Sequence, residues 1–170
     1  MDLKIIGLMS PGDMGHGIGR ALRESGRRVL TDLSGRSERT RGLAAEAGLE
    51  DAGSLTAIMR EADLVLSIMP PAAAEDFATA AAEAMAAAGR TPIFADLNAT
   101  SPATSKAIEI VIRGVGAPYV DGSIIGLTPG KAAPPRIYVS GPEAEPLEAL
   151  TTDTMIWKFA GADAGRASTL

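Results

Sequence analysis

Residues Ser10–Gly15, S-P-G-D-M-G, sit between an apolar run and a helical one, and their chemistry is that of a cradle for phosphate. Gly12 lets backbone approach an anionic ligand, and Gly15 lets a helix pack tightly on the preceding strand. The helix start adds free N–H groups and a partial positive charge. A dinucleotide-binding turn of the G-x-G-x-x-G kind is therefore expected over Ser10, Pro11, Gly12, Asp13, Met14 and Gly15, with Ser10 replacing the first glycine. Asp13 competes with an anion there, so it is expected to turn outward or cap the helix. His16, in the first helical turn, reads as a solvated side chain. A ligand-free tight turn explains the same glycines; the order of elements around them favours the cradle.

A second cluster follows the next apolar run: T31-D32-L33-S34-G35-R36-S37-E38-R39. In a dinucleotide fold this is where the adenosine ribose is read. An acid here accepts the ribose hydroxyls of NAD, and an arginine accommodates the 2′-phosphate of NADP. Asp32 lies about twenty residues from the glycines, where the acid belongs. Ser34, Arg36, Ser37 and Arg39 nevertheless form a compact donor group, and the Arg36 guanidinium can meet a phosphate with two parallel hydrogen bonds. The expected cofactor is NADP, with NAD possible. A charged, solvated helix start is the plain alternative.

These residues need elements to hold them. Apolar runs at Lys4–Met9, Arg28–Thr31, Leu64–Ile68, Ile93–Asp96, Pro118–Val120, Arg136–Ser140 and Met155–Phe159 read as strands. Between them lie helical stretches at Met14–Ser25, Ser37–Ala47, after the N-cap Ser54, from Pro71 to near Gly89, after Ser101-Pro102, and near Glu143–Leu150. Gly126–Pro135 reads as a loop. Strand-helix alternation predicts an α/β, Rossmann-type doubly wound, mainly parallel sheet with helices on both faces. Ligands bind such sheets beyond the carboxyl ends of the strands.

The chain of 170 residues is expected to form one NAD(P)-binding domain over residues 1–170. Its net charge of −5 argues against a nucleic-acid or anionic-membrane surface. It has no cysteine and one histidine, so neither disulfides nor a common zinc site is expected, and no metal is assigned. No apolar run has the length of a membrane span, and the N-terminus does not read as a signal peptide. A soluble, cytoplasmic protein is expected.

With these motifs in view, the whole chain resembles the N-terminal domain of the β-hydroxyacid dehydrogenase family, which includes phosphogluconate dehydrogenase. The resemblance rests on S-P-G-D-M-G, L-S-I-M-P-P, D-L-N-A-T-S-P, Y-V-D-G-S-I-I-G and G-A-D-A-G-R-A-S, in that order. It implies that Met69 and Pro70 line the cofactor cleft and that Asn98 lies near the nicotinamide ribose or the substrate. It implies that Asp121–Gly126 is the substrate strand and turn, with Ser123, Ile124 and Gly126 as contacts. The family's Ser-Gly-Gly appears here as Ile125-Gly126-Leu127, so that serine hydroxyl is missing. By the same resemblance a catalytic lysine belongs just beyond Leu170, followed by a helical domain that closes the site and pairs two copies. No residue of the chain itself is assigned as catalytic, and the isolated chain is expected to be inactive.

The function expected is NADP-dependent hydride transfer to or from a small hydroxy acid or related carbonyl or imine. A non-catalytic dinucleotide sensor or regulatory module is the alternative. A hydrolase or phosphotransferase is disfavoured, since neither G-x-S-x-G nor G-x-x-x-x-G-K-[ST] occurs.

Overall fold

The computed structural model describes residues 2–170. Its strands are β1 (Ile5–Met9), β2 (Arg28–Thr31), β3 (Glu50–Asp51), β4 (Leu64–Ser67), β5 (Ile93–Asp96), β6 (Tyr119–Ile125), β7 (Arg136–Ser140) and β8 (Ile156–Gly161). The helices are α1 (Asp13–Glu24), α2 (Glu38–Ala47), α3 (Leu55–Glu61), α4 (Pro71–Ala88) and α5 (Pro102–Gly114), with 3-10 turns at Glu145–Leu150 and Ala167–Thr169. The strands make one sheet ordered β3-β2-β1-β4-β5-β6-β7-β8, a Rossmann-like α/β fold. All neighbours run parallel except β6 and β7. The order turns back between β1 and β4, and there the carboxyl edge of a doubly wound sheet opens into a crevice.

Period-two alternation of apolar side chains gives each face its own core. Ile6, Leu8, Leu64, Leu66, Ala95 and Val120 meet Ile18 and Leu22 of α1 on one face. Val65, Phe94 and Tyr119 meet α3, α4 and α5 on the other. In α4 the buried stripe is Ala74, Ala78, Ala81 and Met85, small side chains that let this helix lie close to the sheet. Its ends follow the sequence: Pro71 opens it, and Gly89 closes it in the left-handed conformation. Ser37, Ser54 and Ser101 each accept an N–H from the third residue onward, capping α2, α3 and α5.

Three elements differ from expectation. The sequence reading has no strand at Glu50–Asp51, because two exposed acids carry no apolar signal; they form one by pairing with Leu30 and Thr31. The strand expected to end at Val120 continues to Ile125, held by antiparallel pairing with β7. The helix expected near Glu143 is a 3-10 turn at Glu145–Leu150.

A polar row crosses the sheet at its carboxyl edge. Register pairs Ser67 with Asp96, Asp96 with Asp121, and Asp121 with Ser140, and all four are buried. Asp121 accepts the Ser105 hydroxyl of α5 at 2.9 Å and the Ser168 backbone N–H at 2.9 Å. Ser140 Oγ accepts the Ala167 N–H at 2.9 Å, so the row also anchors the last 3-10 turn. Asp96 Oδ1 accepts the Asn98 backbone N–H at 3.2 Å and its amide at 2.6 Å, while Asp96 Oδ2 is buried without a partner. Burial pushes the Asp96 carboxyl from 3.8 up to about 7; the bonds from Asn98 oppose the rise and the nearby Asp121 charge adds to it.

Two stability predictions follow from these packing facts. Ala78 is fully buried and Ala80 is exposed, so Ala78→Leu should lower the free energy of unfolding by about 1–3 kcal/mol while Ala80→Leu leaves it nearly unchanged in denaturant melts. Above about pH 4 the unfolded chain releases the Asp96 proton while the folded chain keeps it, so this group's stabilisation falls as pH rises through about 7. Melts from pH 5 to pH 8 should show Asp96→Asn gaining on the wild type toward high pH, by at most about 4 kcal/mol. Parallel pH profiles for the two proteins would contradict the buried-proton account.

Candidate functional site

The glycine turn leaves β1 and enters α1 through a tight approach. A Cβ on Gly15 would lie 2.0 Å from the Ser10 carbonyl oxygen, so any side chain there would push helix and turn apart. A Cβ on Gly12 would meet nothing within 4 Å, so the opposite side of the turn is open. Gly12 is the N-cap of α1 and offers no side-chain acceptor, leaving the first N–H groups of the helix for another partner. Opposite stands the β4–α4 turn. Ser10, Gly12–Gly15 and Ile68–Pro70 together line a groove of about 250 Å³. Pro11 is buried beneath it.

Most of the expected cofactor residues thus converge, and Ile68, which the sequence reading leaves on the strand, joins them. Asp13 does turn outward: its Oδ1 pairs with the Arg39 guanidinium of α2 at 2.7 Å, both side chains being about 70% exposed. In the β2–α2 connection, Ser34 N–H donates to Asp32 Oδ1 at 3.0 Å, and Asp51 Oδ1 accepts the N–H groups of Leu33 and Gly53. Asp32 and Asp51 therefore shape this turn. The Ser34 hydroxyl donates to the Gly53 carbonyl and Ser37 Oγ caps α2, so both are already engaged. Arg36 reaches toward the glycine turn, with Nη1 3.4 Å from Ser10 Oγ, and links the two clusters that the sequence reading treats separately.

Asn98 is 4% exposed and its amide is fully committed. Nδ2 donates to Ser67 Oγ at 3.0 Å and to Asp96 Oδ1 at 2.6 Å, and Oδ1 accepts the Met69 N–H at 2.7 Å. It ties the end of β5 to the wall of the groove without lining it. Ser123, Ile124 and Gly126 lie at the end of β6, on the same edge of the sheet and also outside the groove. The Ser123 hydroxyl donates to the Ala167 carbonyl at 2.8 Å, Ile124 packs on the core, and Gly126 takes φ +120° where the chain leaves the strand. His16 is half-buried rather than solvated, with Nδ1 2.8 Å from the Gly12 carbonyl.

The polar row beneath these residues has a sequence signal that the reading above does not use. LVLS, IFAD, YVD and RIYVS each place one polar residue after an apolar run, at the carboxyl end of a strand or in register with it. Among the described residues, no group of three His, Asp or Glu is placed to hold a metal ion, and no helix is long and apolar enough to cross a membrane.

Comparison with known proteins extends this geometry. The family model described as "NADP oxidoreductase coenzyme F420-dependent" matches residues 5–93, from β1 to the start of β5. No curated protein sequence matches the chain. A conserved protein of unknown function, described as structurally similar to 3-hydroxyacid dehydrogenases, superposes with TM-score 0.83 and 27% identity over 96% of this chain and 60% of its own. The 3-hydroxyisobutyrate dehydrogenase of Mycobacterium tuberculosis, solved with L-serine, gives 0.79 and 19% over 99% and 57%. An imine reductase variant from Myxococcus stipitatus, in complex with NAD+, gives 0.78 and 21% over 99% and 58%. The last two likenesses are of fold alone. The chain spans 57–60% of the length of these three structures. The match over residues 5–93 takes in the glycine turn, Arg36 and the Met69–Pro70 wall, and by it this chain belongs to the coenzyme F420-dependent NADP oxidoreductase family.

Proposed function

We propose that this chain binds NADP as the cofactor half of an oxidoreductase that moves a hydride between nicotinamide and a small hydroxy acid or a related carbonyl or imine. The observation that carries the reading is the groove where the uncapped start of α1 faces Ile68–Pro70, with Arg36 at its rim. The pyrophosphate lies on the N–H groups of the α1 start, where Gly12 leaves room for it. Arg36 receives the 2′-phosphate, aided by Ser34 and Ser37 if their hydroxyls exchange their present partners. Met69 and Pro70 flank the cofactor, and Asn98 holds that wall through the Met69 N–H. The family's description names NADP, and the imine reductase and hydroxyacid dehydrogenase likenesses suggest the substrate classes.

Reduction of C=O or C=N needs a proton as well as the hydride. Lys4 precedes β1, Lys106 pairs with Glu109 on the outside of α5, Lys131 lies in the loop after β6, and Lys158 is on β8. None lines the groove. The proton donor in this reading is a lysine following the segment that matches Gly161–Ser168, with a helical domain beyond it that closes the site and pairs two copies. Substrate is met from the Ser123–Gly126 segment at the carboxyl edge of β6, with Asn98 acting only by holding the Met69 wall.

Titration of NADPH and NADH into the wild type and Arg36→Ala tests the cofactor assignment. The variant should bind NADPH about ten- to a hundred-fold more weakly and NADH unchanged. Equal losses for both would remove the role of Arg36, and no binding of either by the wild type would remove the proposal.

A further inference from the structure

A second cavity flanks the cofactor groove. It has a volume of about 360 Å³ and lies between α1 and the loop after β6, with His16, Gly17 and Arg20 on one side and Thr128 and Lys131 on the other. Asp13 lines both this cavity and the groove, so the two adjoin at the first turn of α1. The loop is fitted to the helix. A Cβ on Gly17 would lie 2.2 Å from Thr128 Cγ2, and Thr128 Oγ1 is 3.5 Å from the Asp13 carbonyl.

The charge of this cavity is opposite to that of the chain, which carries 21 acidic and 16 basic residues. Some cations of the chain find carboxylates: Arg28 pairs with Glu50 and Glu61, and Arg113 with Glu109 and Glu143. Among the described residues, neither Arg20 nor Lys131 has an ion-pair partner within 4.0 Å. Asp13, the one acid on the wall, is occupied by Arg39 at 2.7 Å. The Gly12 carbonyl can only accept, so His16 Nδ1 donates to it and the ring is held against the wall of the cavity. A guanidinium and an ammonium thus line one cavity whose single acid, Asp13, is already paired, with Glu24 in the adjoining hollow beside Arg20.

We propose that this cavity is an anion site, formed by Arg20 and Lys131 beside His16, that takes the carboxylate or phosphate group of the substrate. The inference rests on the oxidoreductase reading for the identity of the ligand, and it narrows that substrate to an anionic one. An anion here would sit on the flank of α1 next to the end of β6, where no serine hydroxyl stands in the Ile125-Gly126-Leu127 segment to bind a carboxylate. A guanidinium binds such a group through two parallel hydrogen bonds, and the ammonium adds a second charge.

His16 is the only histidine in the chain, so its ring resonances are read without overlap, and the variants below separate this cavity from the adjoining groove. Inorganic phosphate, and separately malonate, titrated into the protein should move those resonances saturably, both with and without saturating NADPH. Arg20→Ala and Lys131→Ala should each weaken that affinity by about ten-fold or more, and Arg36→Ala should leave it unchanged. Response to phosphate alone marks the substrate group as a phosphate, and response to malonate alone marks it as a carboxylate. Absence of a saturable shift with either anion overturns the proposal. So does a shift that both cavity variants retain, or one that saturating NADPH or Arg36→Ala abolishes, since the anion would then lie in the cofactor groove. If NADPH does not bind, the oxidoreductase reading fails by itself, and the cofactor-free titration still decides the anion site.

Discussion

Helix α1 can start where it does because residue 15 has no side chain. The Ser10 carbonyl oxygen occupies the position a Cβ would need, 2.0 Å away, and this contact sets the distance between the end of β1 and the helix. The first N–H groups of α1 then point into the space before Ile68–Pro70. The same placement lets Arg36 reach Ser10 Oγ from across the β2–α2 turn. Replacement of the usual first glycine by Ser10 is compatible with this geometry, since the hydroxyl faces the arginine instead of blocking the helix. Gly17, two residues on, repeats the device against Thr128 and brings the loop after β6 onto the helix.

Below this turn, the carboxyl edge of the sheet is held by polar side chains buried between strand ends and helix starts. Ser67, Asp96, Asp121 and Ser140 form a register-aligned row that no apolar packing could replace, because each satisfies a backbone or side-chain group on a neighbouring segment. Asn98 extends the row to the Met69 N–H and Asp121 extends it to the Ser168 N–H. Two buried hydrogen-bonded clusters on adjacent strands thus hold the wall of the groove, around Asp96 and Asn98, and the last turn of the chain, around Asp121 and Ser140. Such a cluster rigidifies a site when satisfied and is costly when one member is lost.

The elements with their own local signals were legible in the sequence: apolar runs of four or five residues, serine caps before α3 and α5, and the proline and glycine that bound α4. Glu50–Asp51 carries no such signal, since its strand character comes only from pairing with β2. The continuation of β6 through Ile125 likewise depends on a partner, β7, more than ten residues later in the chain. The glycine turn was legible because a strand, a turn and a helix start are contiguous. The use of Asn98, Ser123 and Ser37 as internal hydrogen-bonding partners was not, because those bonds run to Met69, Ala167 and the start of α2, and only the last is local. His16 showed nothing of its cavity in the sequence, since the opposite wall lies at Thr128–Lys131.

The central claim is that a dinucleotide lies between the start of α1 and the β4–α4 turn. Mapping backbone amide shifts as NADP+ is added tests it most directly. The account predicts that the large, saturable changes fall on Gly12–Gly15, Arg36 and Ile68–Met69, with little change at the Thr151–Thr154 groove behind α1. Changes concentrated at Thr151–Thr154, or none at the glycine turn with NADP+ bound, would contradict it.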